Sequence, residues 1–142
     1  MNNTNNTTID KSNRTTYAVW IGDRSGSMVN LTKSHQKGYN DFIKEQQKQN
    51  SSNFFLTTIR FDDEIEVIGE NVPIQKIQLA DKNTFKERGS TALYDAIGKG
   101  IDIINNIYEK NMCSNKYCNY LILIMTDGFD NSSHNYTIET IK

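Results

Sequence analysis

Apolar residues form two short continuous runs along the chain, YAVWIG at 17–22 and YLILIM at Tyr120–Met125. A strand that is covered on both faces is apolar throughout rather than alternating, so both runs predict central β-strands. The aromatic and β-branched segment FFLTTIRF, Phe54–Phe61, predicts another strand. EIEVIG follows a turn at Asp62–Asp63 and alternates in polarity, which predicts that it pairs with the preceding strand as a hairpin.

Two segments show the periodicity of amphipathic helices. From Val29 to about Gln49 apolar residues are spaced among Lys, Gln and Glu, which predicts a surface helix with one buried stripe. Ser90 is a candidate N-cap for a longer second helix, and YTIETIK at the end of the chain predicts one more. The order of strands and helices predicts an α/β sandwich with a largely parallel central sheet. The helical spacing predicts that the apolar face of the second helix consists of Leu93, Ile97, Ile101, Ile104 and Tyr108.

Length and charge narrow the class of protein. The 142 residues suit one domain, predicted over 16–142, preceded by a disordered polar tail over 1–15. The formal net charge is −1, so no basic surface exists to collect nucleic acid. The chain shows no apolar window of about 18 residues and no signal peptide. We therefore expect no membrane insertion and an intracellular, cytoplasmic location.

Two predicted strands end in an acidic residue, and hydroxyl side chains follow close by. In open α/β sheets ligands collect at the carboxyl ends of the strands, so Asp23 and Asp127 are expected to converge at one edge. Alternate spacing in an extended loop would point Asp23, Ser25 and Ser27 to the same side, and Thr91 at a helix start could reach the same place. A hard cation such as Mg²⁺ prefers six oxygen ligands, and this set supplies only two negative charges. The sequence therefore predicts a metal site that recruits a further acid from outside.

These residues resemble the metal-ion-dependent adhesion site of von Willebrand factor type A (vWA) domains. The likeness runs from Tyr17 to Lys142 and rests on DRSGS at 23–27, on Thr91 in GSTALYDAI and on Asp127 in LILIMTDG. The resemblance implies a Rossmann-like three-layer sandwich in which Ser25, Ser27 and Thr91 ligate Mg²⁺, or Mn²⁺ or Ca²⁺, through hydroxyls. Asp23 and Asp127 would act directly or through water. It further implies a non-catalytic module whose protein partner supplies a Glu or Asp ligand.

The chain departs from the family pattern at its C-terminal end. The vWA fold continues past the strand that carries Asp127, whereas this sequence stops at Lys142. We therefore expect a C-terminally truncated domain, or one completed by another chain. The strand Tyr120–Met125 should then lie at an edge of the sheet, where an apolar strand favours association.

Three alternatives remain open at this point. A haloacid dehalogenase-type phosphotransferase also begins with a strand ending in Asp, but Ser25 stands where its general acid belongs. A serine hydrolase would pair a serine with Asp130 and His134, without a pattern that places them together. A non-functional fragment is the third. Asp130 is expected to be a solvated loop residue, and His35 to be exposed.

Overall fold

The computed structural model describes residues 14–49, 53–110, 118–128, 130, 131 and 133. The predicted tail lies outside these residues except for its last two positions, and so do the last predicted helix and His134. Four strands and two α-helices make up the described chain. In chain order they are β1 (Thr15–Asp23), α1 (Thr32–Lys48), β2 (Phe54–Phe61), β3 (Ile65–Pro73), α2 (Leu93–Lys110) and β4 (Cys118–Met125).

The four strands form one sheet in the order β3-β2-β1-β4. β1 is parallel to both β2 and β4, and β3 returns antiparallel to β2, so the predicted hairpin and the mostly parallel sheet are confirmed. In register, Asp23 of β1 lies opposite Phe61 of β2, and the preceding Gly22 lies opposite Met125 of β4. The three parallel strands therefore end at the same edge of the sheet.

The sheet carries one helix on each face. Along β1, Ala18 and Trp20 belong to the core shared with α1, whereas Val19 and Ile21 belong to the core shared with α2. The YAVWIG run is apolar throughout because each of its two faces is covered, and each fully buried large side chain contributes about 1.5–3 kcal/mol to folding. The predicted α/β sandwich of three layers is confirmed.

The structure differs from the predictions at the helix starts. α1 begins at Thr32 rather than Val29, because a 3₁₀ turn over Gly26–Met28 comes first. α2 begins at Leu93, so the predicted N-cap at Ser90 is wrong. Neither helix in the described part of the chain is apolar enough over its length to cross a bilayer.

Candidate metal centre

Asp23 and the two serines occupy a tight loop at the end of β1. Asp23 is fully buried and its Oδ1 accepts a hydrogen bond of 2.7 Å from the Ser25 N–H. The hydroxyls of Ser25 and Ser27 lie 3.2 Å apart, within hydrogen-bonding distance. The expected extended loop is wrong, since the chain turns into the 3₁₀ segment Gly26–Met28 directly after the extended Ser25. The turn nevertheless brings the two hydroxyls together on one side.

The segment that carries Thr91 runs beside this loop. The Gly26 N–H donates to the Gly89 carbonyl at 2.9 Å, and the Arg88 N–H donates to the Arg24 carbonyl at 2.6 Å. Thr91 itself is buried just before α2. These backbone hydrogen bonds hold the segment that carries Thr91, here called the second signature segment, against the loop at 23–27, here called the first signature segment.

Gly89 is required by its backbone conformation and by its neighbours. Its φ of +67° is a left-handed conformation that favours glycine. A Cβ at this position would also collide with Asp63 Oδ1 and press on the Asp62 side chain. Gly89 therefore packs closely against Asp62 and Asp63 in the β2–β3 turn, and this contact fixes the path of the chain toward Thr91.

The segment that follows β4 contacts both the loop that carries Asp23 and the segment that carries Thr91. Thr126 Oγ1 donates to Asp23 Oδ2 at 2.7 Å. Asn131 bonds Thr91 twice, because its N–H donates to the Thr91 carbonyl and its Oδ1 accepts from the Thr91 N–H, each at 2.8 Å. Asp127 lies between these two contacts in sequence, and its Oδ1 is buried without a hydrogen-bond partner in the described structure.

The structure thus brings all three predicted segments to one edge of the sheet. Within the first segment, the hydroxyls of Ser25 and Ser27 are in direct contact. In the described contacts between segments, at least one partner is a neighbour of a predicted ligand, such as Thr126 or Asn131. No group of three or more His, Cys, Asp or Glu side chains arranged for a metal occurs among the described residues. The predicted set, with two carboxylates and three hydroxyls, is of a different kind: Asp23, Ser25, Ser27, Thr91 and Asp127.

The donor set fits a hard cation. Carboxylate and hydroxyl oxygens are ligands that Mg²⁺ and Ca²⁺ accept, and Mg²⁺ usually retains several waters. A buried carboxylate oxygen without a donor is unfavourable, so the orphaned Asp127 Oδ1 is a position that a cation or its bound water would satisfy. Both oxygens of Asp23 already accept hydrogen bonds, which orients its carboxylate.

The segment that follows β4 also supplies hydrogen-bond acceptors for the backbone N–H groups at the start of α2. Asp130 Oδ1 accepts from the Tyr94 N–H, and Ser133 Oγ accepts from the Asp95 N–H, both at 3.0 Å. The expectation that Asp130 is a solvated loop residue is therefore wrong. The signal in the sequence is the run of Asp, Asn and Ser after β4, which are the residue types that cap helices. Nothing local links this run to a helix whose contacted residues lie 36 and 38 positions earlier.

His35 lies buried in α1, under the end of β1, so the expectation of an exposed histidine is wrong. Its Nε2 accepts a hydrogen bond of 3.1 Å from Trp20 Nε1, and its ring stacks on Phe85 at a centroid distance of 3.8 Å. Gly22 leaves the space for the ring, since a Cβ there would lie 2.6 Å from His35 Cε1. Burial lowers the pKa of His35 to about 4.

Arg24 places a positive charge inside the signature loop. Burial lowers the pKa of the Arg24 guanidinium, and the nearby cations Arg60 and Arg88 act in the same direction. Asp62 and Glu66 oppose this effect. A guanidinium stays protonated in proteins, so the charge must be balanced by its acidic neighbours.

Comparison with known proteins finds the same fold in vWF-type domains. No protein-family model and no curated protein sequence matches the chain. Among solved structures, the vWF domain of the type V pili tip protein Mfa5 from Porphyromonas gingivalis aligns over 89% of this chain with a TM-score of 0.65. A structure of three N-terminal domains of the same pili tip protein aligns over 89% with a TM-score of 0.66. The fold is that of a vWA-like domain.

The vWA-like fold is shared at low sequence identity. Both alignments have 16% identity, and the chain spans 43% and 22% of the two matched chains. Such a likeness shows the path of the backbone. The roles of individual side chains in this vWA-like domain are therefore argued from the contacts described above.

Proposed function

We propose that this chain is a non-catalytic protein-binding module whose affinity for its partner depends on a divalent cation. Mg²⁺ is the expected ion, with Mn²⁺ or Ca²⁺ as substitutes. In this proposal Ser25, Ser27 and Thr91 hold the ion through their hydroxyls. Asp23 and Asp127 complete the set directly or through water.

One observation carries the proposal. Asp127 Oδ1, which is buried and has no hydrogen-bond partner among the described residues, belongs to the segment that contacts Asp23 and Thr91. This segment lies at the edge where the Ser25 and Ser27 hydroxyls meet. Three separate segments that carry oxygen-bearing side chains therefore meet at one edge of the sheet, which supports the proposal. Two carboxylates leave a divalent ion without excess negative charge around it. The ion would supply a positive centre for an Asp or Glu of a protein partner.

The vWA-like fold supports the proposal because its neighbours include the vWF domain of a pili tip protein. The partner of this chain, its choice of ion and its intracellular location stay predictions. The formal net charge of −1 favours a protein partner over nucleic acid.

Thermal unfolding with and without cation tests the site. At a concentration about 100-fold above the dissociation constant, Mg²⁺ should add about 2.7 kcal/mol, which raises Tm by about 10 °C relative to EDTA. The shift should vanish in Ser27→Ala and in Asp127→Asn. Ser34→Ala, at an exposed serine of α1, is the matched control and should keep the full shift. A folded wild-type chain without any shift, or an equal shift in all variants, would contradict the proposal.

Peptide selection tests the partner chemistry. Random peptides selected on the chain in Mg²⁺ and counter-selected in EDTA should share an Asp or Glu, and their Asn or Gln counterparts should lose binding. An assay with a chromogenic phosphate ester distinguishes the phosphotransferase alternative from the binding module, because only the phosphotransferase would hydrolyse the ester. Mg²⁺-dependent turnover lost in Asp23→Ala would overturn the binding module.

A further inference from the structure

A group of charged side chains, here called the charge cluster, lies beside the candidate metal centre. It links the loop after β1, the end of β2, the start of β3 and the segment before Thr91. Three cations face three acids, so the cluster is electrically neutral as a whole. Its members are Arg24, Arg60, Arg88, Asp62, Glu64 and Glu66.

Asp62 is the most buried acid of the charge cluster, with 1% of its side chain exposed. Its Oδ2 accepts the Nε–H of Arg88 and lies 3.7 Å from Arg24 Nε. Its Oδ1 accepts the Glu64 N–H at 2.8 Å, which closes the β2–β3 turn. Its backbone carbonyl accepts the Ala92 N–H at 2.8 Å, next to Thr91. Asp62 therefore serves the turn predicted from the sequence and also contacts both signature segments.

Arg24 stands between Asp23 and Ser25, with 6% of its side chain exposed. Its Nη2 donates to Glu66 Oε1 at 2.6 Å, and Arg60 Nε donates to the same oxygen at 2.8 Å. A buried guanidinium in this loop would repel a divalent ion if its charge were not balanced. Asp62 and Glu66 supply that balance.

We propose that Asp62 is a positioning residue for the candidate metal centre. Its carboxylate accepts a hydrogen bond from Arg88 on the second signature segment and lies 3.7 Å from Arg24 Nε on the first, and it cancels part of the charge of both so that a cation can bind. This inference rests on the proposed function, because it concerns the same site. Asp62 does not touch the ion in this account, and it acts through the two arginines.

Mn²⁺ titration of the full chain tests the inference. Asp62→Asn keeps the size of the side chain and an oxygen for the Glu64 N–H, but it removes the charge. We expect its dissociation constant for Mn²⁺ to rise roughly tenfold, with the larger effect at low salt where charges are least screened. Glu64→Gln is the matched control, since that acid is 69% exposed and pairs only with the outer nitrogen of Arg88 in the described structure. It should bind Mn²⁺ within about twofold of wild type.

Two further variants distinguish a positioning role of Asp62 from a general loss of stability: a double variant with Arg88, and a single variant of Glu66. Asp62→Asn combined with Arg88→Gln restores a neutral cluster and should recover part of the lost affinity, which a purely structural role would not do. If Asp62→Asn does not fold, Glu66→Gln removes a partly exposed charge from Arg24 and should also weaken Mn²⁺ binding severalfold. Failure of the unchanged chain to bind Mn²⁺ would overturn the proposed function and this inference together. Mn²⁺ binding that is unchanged in folded Asp62→Asn, or in Glu66→Gln where Asp62→Asn is unfolded, would overturn the inference alone.

Discussion

His35 is held neutral by the residues around it. Trp20 donates to its Nε2, which leaves the proton of the neutral ring on Nδ1. A second proton would have to sit on Nε2, against the Trp20 N–H. Burial against Phe85 adds the cost of removing a charge from water. Both effects favour the neutral ring and agree with a lowered pKa.

The stability of the chain should therefore fall at acidic pH through His35. The unfolded histidine binds a proton below about pH 6.5, whereas the folded pKa is about 4. Between these values only the unfolded state gains the proton, so stability is lost as pH falls, by about 3 kcal/mol in total. Urea unfolding of wild type and His35→Gln from pH 7.5 to pH 4 measures this. The variant should be less stable at pH 7.5, and the difference should shrink toward pH 4.

The comparison of wild type with His35→Gln isolates the contribution of His35 to the pH dependence of stability, because both proteins share every carboxylate that titrates in the same pH range. A difference in unfolding free energy that stays constant with pH would contradict the prediction. The sequence around His35 gave no sign of its burial, since its neighbours Ser34 and Gln36 are polar. The pocket depends on the gap above Gly22 and on Phe85, which lies 50 residues later in the chain.

The start of α2 depends on side chains from another element. The first backbone N–H groups of a helix have no partner within the helix. Here Asp130 and Ser133, from the segment after β4, accept those of Tyr94 and Asp95. The negative charge of Asp130 also suits the positive end of the helix dipole.

Asp130→Ala should destabilise the chain by about 1 kcal/mol, the usual effect of losing a helix N-cap. Asp130→Asn is the control, because its amide oxygen can still accept the Tyr94 N–H. Urea unfolding in EDTA measures both without any contribution from bound cation. We expect a lower midpoint for the alanine variant with an unchanged slope. Equal midpoints for Ala and wild type would show that water replaces the cap at no cost.

The elements themselves were predictable where local patterns decide them. The apolar runs became β1 and β4, although β4 lies at an edge of the described sheet and not in its centre as its apolar pattern predicted. The helical spacing after Leu93 became α2, although Tyr108 of its predicted apolar face is 52% exposed. The helix starts were not predictable, because the first turn after β1 is a 3₁₀ segment and the cap of α2 comes from a distant loop. Local propensity cannot report such contacts.

At the scale of the molecule, the parallel strand ends account for the candidate site. Because β1 and β4 run in the same direction, the segments that carry Asp23 and Asp127 leave the sheet at one edge, as the sequence predicted. The segment before α2 brings Thr91 to that edge through backbone hydrogen bonds. The supporting contacts through Thr126, Gly89 and Asn131 were not predictable, since each joins residues far apart in the chain. The charge cluster was missed for the same reason, although Asp62 was correctly placed in a turn.

The β4 edge of the sheet is a candidate surface for association with another chain. Among the described residues β4 is the last strand on its side and pairs with β1 alone. Its side chains Leu121 and Ile124 are 41% and 45% exposed, on opposite faces of the strand. An apolar strand with unpaired backbone groups is a template for pairing with another chain.

We therefore expect wild type to self-associate as its concentration rises, and Leu121→Lys with Ile124→Lys to remain monomeric at the same concentrations. Lysines at a sheet edge disfavour pairing by charge repulsion, and exposed positions tolerate substitution at a cost of about 1 kcal/mol or less. Light scattering coupled to size-exclusion chromatography measures the mass of each. Leu79→Lys is the matched control, because Leu79 is also 45% exposed but lies outside the sheet. If that control abolished association equally, exposed apolar area in general rather than the β4 edge would be responsible.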